Sequence, residues 1–299
     1  MAKGESYSVE DIVKGHESSG KYFQVEGLKT FALDFGSGEA VLCIHGVPTS
    51  SFLYRKVLRS LMEKGYRAVS IDLPGLGLSD RPEDFDYSFP NFASFLNKAA
   101  EALNLKKYHL VVHDIGGPIG FALAASVPDK IRSLTILNTW IDVTKFKKPL
   151  VMRPFEKPIL GEAELKTISH TTWPIMFSEM GVINSNLIPK EEINAYVDLL
   201  KREDNGKAFL KIMRNFTDTP EFRDTCYKAV QNAPYPIQAI WGEDDPALTY
   251  DRYATEIKEV AHLKVIKTLP SKHFLQEEVW TEIAEKIDEI AKKDEGSII

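Results

Sequence analysis

Two apolar segments meeting at a single carboxylate constrain this chain more than any other feature. HLVVH (109–113) reads as a short strand and GPIGFALAASV (117–127) as a helix, with Asp114, Ile115 and Gly116 forming the bend between them. The same rhythm recurs on either side. FALDF (31–35) and AVLCIH (40–45) flank Gly36-Ser37-Gly38, a hairpin-type turn. A helix over 51–64, the strand RAVSIDL (67–73), a helix over 91–105 and the strand SLTILN (133–138) complete the first half. Strands joined by helical crossovers of this length imply a mainly parallel sheet covered on both faces. The expected fold class is α/β.

The rhythm stops after SLTILN. Residues 139–232 hold no strong strand and read as amphipathic helices. In EEINAYVDLL, Ile193, Tyr196, Val197 and Leu200 recur at the spacing of one helical face. Alternation returns with PIQAIW (236–241), a helix over 252–260 and LKVIKTL (263–269). A last helix carries Val279, Ile283, Ile287 and Ile290 on one face. The expected organisation is a core of 1–138 and 233–299, interrupted by a helical insertion of 139–232. The tail KKDEGSII reads as a solvated end.

With 299 residues, 43% of them hydrophobic, the chain can bury one large core together with such an insertion. A net charge of −6 and the lack of a basic patch argue against nucleic acid as a partner. No apolar run approaches the roughly 18–20 residues that span a bilayer. The polar N-terminus MAKGESYSVEDIVKG lacks a signal-peptide core. Two cysteines, Cys43 and Cys226, do not make a disulfide framework, and a reducing cytoplasm is expected. The histidines lack metal-ligand spacing, so neither metal nor cofactor is expected.

Strand, sharp turn and helix make the geometry of a nucleophile elbow, whose usual signature is GxSxG. Here Val112-His113-Asp114-Ile115-Gly116 occupies it, so Asp114 stands where serine would. A carboxylate there can attack an electrophilic alkyl carbon and form an ester whose carbonyl belongs to the enzyme. Hydrolysis of that ester needs a base for water. WGEDDP (241–246) follows one strand and LPSKHFLQEE (269–278) the next, in the order acid then histidine. Asp114, Asp245 and His273 are the expected catalytic residues, with Asp244 a rival for Asp245. Backbone N–H groups of Val47, in HGVP (45–48), and of Ile115 are the expected oxyanion donors. Losing one such donor costs on the order of 10²–10³ in rate.

These stretches, with HGVPTSSFLYRKV (45–57), DLPGLGLSDRP (72–82), VVHDIGGPIG (111–120) and LNTW (137–140), resemble the α/β-hydrolase superfamily. The resemblance is to its haloalkane dehalogenase-like and epoxide hydrolase-like branch with an aspartate nucleophile. It implies an α/β-hydrolase fold in which the helical insertion caps a buried site. It also implies a cofactor-independent hydrolase, monomeric or a small homo-oligomer, acting on a small apolar organic substrate and water.

The departures are specific. Haloalkane dehalogenases hold the departing halide with side-chain N–H donors, typically a tryptophan after the nucleophile and often an asparagine in HGNP. Here those positions are Ile115 and Val47. The arginines that follow the nucleophile in fluoroacetate dehalogenases are also missing, which disfavours a small carboxylate substrate. Trp140, His170, Trp173 and Tyr196 are candidates for the pocket wall, and Trp140, Trp173 or His170 for replacement halide donors. Epoxide hydrolases need a ring-protonating group, for which Tyr196, Tyr227, His170 and Tyr235 are candidates.

Simpler readings stand beside these. Asp114 can cap the next helix, His45 and His113 can be structural, and Tyr196 or the tryptophans can simply pack. GLGLSD lacks the lysine of a phosphate loop. The alternatives are an epoxide or lactone hydrolase, a ligand-binding protein with a vestigial triad, and a carboxylesterase, which lacks its serine.

Overall fold

The computed structural model describes residues 7–295. The end of the tail KKDEGSII, expected to be solvated, lies outside the described residues, as do the first residues of the N-terminal stretch. Eight strands form one sheet: β1 (Lys21–Val25), β2 (Leu28–Phe35), β3 (Ala40–Ile44), β4 (Arg67–Ile71), β5 (Tyr108–Val112), β6 (Ile131–Leu137), β7 (Ile237–Gly242) and β8 (Lys267–Leu269). Their spatial order is β1-β2-β4-β3-β5-β6-β7-β8. The pairs β1/β2 and β2/β4 are antiparallel, and every pair from β4/β3 to β7/β8 is parallel.

β3 and β5 lie at the centre and are buried at every position. That explains why AVLCI and YHLVV are apolar without alternation: a parallel strand between two helical layers has no wet face. Helices 55–63 and 280–295 pack on one another, as do 89–102 and 116–126, and together they flank the sheet. Val279, Ile283, Ile287 and Ile290 of the last turn region and helix are buried, as their spacing predicts.

One expected element is corrected. Gly36-Ser37-Gly38 does not close a hairpin, because β2 pairs with β4 while β3 pairs with β4 and β5. The Gly-Ser-Gly turn fits the sequence rule, but β4 supplies a partner for both strands and separates them. The helix Val9–Ser19 is also new. Its start is marked by a capping box in which the Asp11 N–H donates to Ser8 Oγ at 3.2 Å and the Ser8 N–H donates to Asp11 Oδ2 at 2.9 Å. The helix packs on helix 190–201.

Between β6 and β7 the described chain contains helices and no strand. Cations tie this segment to the sheet domain. Arg81 donates to the carbonyls of Leu199 and Leu200, and Arg202 donates to those of Leu78 and Ser79. The most enclosed link is Glu277, whose side chain is fully buried. It accepts from Arg55 at 2.5 and 3.0 Å, from Lys56 at 2.8 Å and from the Tyr196 hydroxyl. Arg55 also pairs with Glu192 of helix 190–201. Burial opposes the charge of Glu277, but Arg55 and Lys56 outweigh it and hold the carboxyl at about 2.

A carboxyl depressed in the fold stabilises the folded state fully above its ordinary value of 4.5, and that contribution is lost as pH falls through about 2. Removing it strands buried cations. Glu277→Ala should therefore cost roughly 3–5 kcal/mol in equilibrium denaturant unfolding at neutral pH. The gap from the parent should narrow as the pH is lowered.

Candidate active site

The bend after β5 places Asp114 in the left-handed backbone region, at φ 52°. Such a conformation costs an L-residue on the order of 1–3 kcal/mol unless neighbours impose it. They do so from two sides. The Asp114 N–H donates to the Asn138 carbonyl at 3.0 Å, and the Thr139 hydroxyl donates to the Asp114 carbonyl at 2.6 Å. On the other side, Gly46 brings its backbone against the carboxylate, so close that a Cβ there would lie 2.2 Å from Asp114 Oδ1. Gly116 likewise starts the next helix where a Cβ would meet the Ile44 carbonyl at 2.6 Å.

The two carboxylate oxygens of Asp114 differ. Oδ1 accepts from the Val47 N–H at 2.8 Å, and the Ile115 backbone N–H also favours the charged carboxylate. Oδ2 lies 3.7 Å from His273 Nε2, beyond hydrogen-bond length. His273 Nδ1 is 2.8 Å from Asp245 Oδ2. That contact places the proton of the neutral ring on Nδ1 and leaves the Nε2 lone pair facing Asp114. Asp245 is fixed in turn: Oδ1 accepts from the Ala247 and Leu248 N–H groups at 2.8 and 2.9 Å, and Oδ2 accepts from Asn138 Nδ2 at 2.6 Å. Asp244 is exposed, so the geometry selects Asp245 as the partner of His273.

Burial raises Asp114 above its ordinary value, against the charge of His273 and the two backbone donors. Burial likewise opposes the charge of Asp245, yet the charge and hydrogen bond of His273, with Asn138 and Leu248, hold it below the usual range. For His273, burial works against the imidazolium, but Asp245 first and Asp114 second raise its pKa above the usual imidazole value. His45 and His113 are both buried and make contacts to the backbone. His45 Nε2 accepts from the Leu73 N–H at 3.1 Å, and His113 Nε2 lies 2.9 Å from the His273 carbonyl.

A cavity of about 80 Å³ adjoins Asp114 and His273. Apart from Lys148 its wall is otherwise apolar, with Val47, Trp140, Trp173, Met213 and Phe274 among its residues. Trp140 and Trp173, two of the candidates for the pocket wall, line this cavity. The Trp173 indole N–H is buried and has no acceptor among the described residues.

Two candidates are corrected. His170 is exposed and pairs with Asp198 at 2.6 Å, away from the wall. Tyr196 sits one layer back, its ring parallel to that of Phe274 at 6.2 Å and its hydroxyl committed to Glu277. Helical periodicity reveals that Tyr196 is inward, but not which inward surface it meets. Sequence reasoning missed Asn138 and Thr139 as site residues. Their only signal is their place at the end of β6, in LNTW. Among the described residues no group of three or more histidines, cysteines or acids could hold a metal ion.

Parallel sheet, elbow, carboxylate and His–Asp pair together define an α/β hydrolase architecture. A family model described as alpha/beta hydrolase fold matches residues 39–278, and the chain belongs to that family. Over 108 residues it is 38% identical to haloalkane dehalogenase 2 of Mycobacterium tuberculosis, covering 36% of this chain and 37% of the relative. Over 127 residues it is 39% identical to cis-3-alkyl-4-alkyloxetan-2-one decarboxylase of Shewanella oneidensis, covering 42% and 40%. These matches span well under half the length of either curated relative. Similar solved structures include haloalkane dehalogenase DbeA of Bradyrhizobium elkani, with TM-score 0.77, 22% identity and coverage of 93% and 99%. An epoxide hydrolase of Vigna radiata gives TM-score 0.74, 21% identity and coverage of 92% and 97%. At such identities the likeness is one of fold.

If Asp114 helps to raise the His273 pKa, removing its charge must lower it. The imidazole titration of His273, followed by NMR, should move to lower pH in Asp114→Asn than in the parent protein. An unchanged midpoint would mean that the 3.7 Å approach carries no electrostatic coupling.

Proposed function

We propose that this protein is a cofactor-independent hydrolase acting at an electrophilic alkyl carbon through an Asp114 ester. It is haloalkane dehalogenase-like, with the usual halide-binding side chains replaced. The observation that carries this reading is the unequal environment of the two Asp114 oxygens. Oδ1 is already held by the Val47 N–H at 2.8 Å, and Oδ2 lies 3.7 Å from His273 Nε2. Residues 139–232 would act as a cap, since they supply much of the apolar wall over the carboxylate.

In the proposed reaction Oδ2 attacks carbon, and the leaving group departs with its electron pair. The ester carbonyl is then Oδ1, already facing the Val47 N–H, with the Ile115 N–H as the second oxyanion donor. Water adds to Cγ while His273 Nε2 takes its proton, and Asp245 stabilises the imidazolium. The two backbone donors stabilise the oxyanion. Collapse of the tetrahedral species expels the alkoxide, which takes the proton held by His273 and leaves as the alcohol; the Asp114 acid left behind gives the second proton of the water through His273 to solvent, and the carboxylate is restored.

Two features narrow the leaving group. The buried indole N–H of Trp173 is a donor without a partner among the described residues, suited to a departing anion. Among the described residues no tyrosine lines the cavity, so an epoxide lacks an evident ring-protonating group. A halide, or the carboxylate expelled from a strained lactone, leaves as an anion and needs no proton. The Shewanella relative is named for an oxetan-2-one, which is a four-membered lactone. Epoxide hydrolysis is thus the second reading. A ligand-binding protein with a vestigial triad is disfavoured by the intact 2.8 Å contact between His273 and Asp245.

Two experiments test this. His273→Phe, exposed to pooled haloalkanes, strained lactones and epoxides, should accumulate an adduct on Asp114, seen by intact mass and peptide mapping. The adduct mass names the electrophile, and a folded variant that forms none sinks the reading. Trp173→Phe should slow ester formation from a haloalkane by roughly 10–100-fold, the value of one hydrogen bond to an anion. Equal rates in single-turnover quench experiments would remove Trp173 from that role.

A further inference from the structure

The inner cavity shares a wall with a second, outer one of about 540 Å³. Trp140, Phe146, Lys148, Met213 and Phe216 line both. The two chambers differ in character. The inner one is apolar around Asp114, whereas the outer one carries Lys147, Lys148, Arg153, Lys157 and Arg214 against only Glu156 and Asp218. Some of this charge is already matched: Lys148 pairs with Glu156 at 2.8 Å, and Arg214 pairs with Glu162, outside the wall, at 2.9 Å. Lys147, Arg153 and Lys157 are exposed, and none has a carboxylate partner among the ion pairs of the described residues. Such an excess of cations is notable on a chain whose net charge is −6.

The partition is equally specific. Phe146 stacks on Trp140 with centroids 3.7 Å apart and planes within 7°. Lys148 holds its ammonium 3.8 Å from the centre of the Phe216 ring, with only 10% of its side chain exposed. A cation fixed on an aromatic face at the junction of an apolar and a basic chamber suits an amphiphile, because each end of such a molecule meets its own solvent.

We propose that the outer chamber binds the anionic end of the substrate, a carboxylate or phosphate, while its apolar electrophilic end reaches Asp114. The substrate class is then an amphiphilic acid whose reacting carbon is separated from its charge by a hydrocarbon spacer. This rests on the reading that the inner cavity takes the reacting end, and it deepens that reading. It differs from a small carboxylate with the acid beside the reacting carbon, for which the elbow offers no arginine.

The test is a binding measurement, so it is independent of whether Asp114 forms an ester. Decanoate, decyl phosphate and 1-decanol are titrated calorimetrically into the parent protein at low salt. At least one of the two anions should bind roughly tenfold tighter than the alcohol, the value of a few partly exposed ion contacts. Raising KCl to about 0.5 M, where screening is nearly complete beyond a few ångströms, should erase most of that advantage. The triple variant Lys147→Glu, Arg153→Glu, Lys157→Glu should lose it while binding 1-decanol unchanged. The salt titration of the parent decides the matter if that variant does not fold. Equal affinity for acid and alcohol, a preference indifferent to salt, or no binding of any of the three overturns the proposal. An Asp114 adduct obtained together with such a result would keep the hydrolytic reading and remove this one.

Discussion

The site depends on one backbone conformation. Asp114 is an L-residue held at positive φ, at the tip of a fully buried parallel strand. Nothing in the bend alone favours that state over an ordinary turn. It is imposed by groups from neighbouring strand ends: the Asn138 carbonyl, the Thr139 hydroxyl and the backbone of Gly46. In return the carboxylate is lifted out of the sheet edge, one oxygen against the Val47 N–H and the other 3.7 Å from His273 Nε2. The parallel sheet matters because it brings the ends of β3, β5, β6 and β7 to one edge, where ligand sites of such sheets gather.

Electrostatics follows from that placement. Two carboxylates and one imidazole share a largely dry region, and burial penalises each charge. Asp245 offsets its penalty with three neutral donors and His273. Asp114 has fewer partners, and its pKa rises. Asp245 is thus more fully solvated by the protein than Asp114. Asn138 links the two, since its carbonyl orients Asp114 and its side chain bonds Asp245.

The helical segment between β6 and β7 does more than cover this region. It supplies Trp173 and Met213 to the inner wall and Arg153, Lys157 and Arg214 to the outer one. Glu277, four residues beyond His273, binds Arg55 of the sheet domain and Tyr196 of that segment. The histidine loop and the helices above it are also joined directly, by the Phe274 N–H donating to the Gly181 carbonyl at 2.7 Å. Movement of those helices would therefore be felt at His273.

The order of strands and helices, the elbow and the Asp–His order were legible in the sequence, because each depends on neighbours along the chain. Val47, Ile115 and the triad candidates came from that local information, and so did the absence of a side-chain donor at positions 47 and 115. The choice of Asp245 over Asp244 did not, for both acids share one bend and only the side facing Asn138 and His273 separates them. Nor did the false hairpin at Gly36–Gly38, where β4 intervenes from thirty residues away in the chain. Tyr196 and His170 show the same boundary. Periodicity tells which face of a helix is apolar, but the partner of that face is fixed by how the helices stack. The sequence by itself determined the fold class and put a carboxylate, where a serine would be usual, at the elbow. Only the tertiary structure decided which acid serves the histidine, which tryptophan presents an unpaired donor, and where the basic chamber meets the apolar one, because each is a contact between segments distant along the chain.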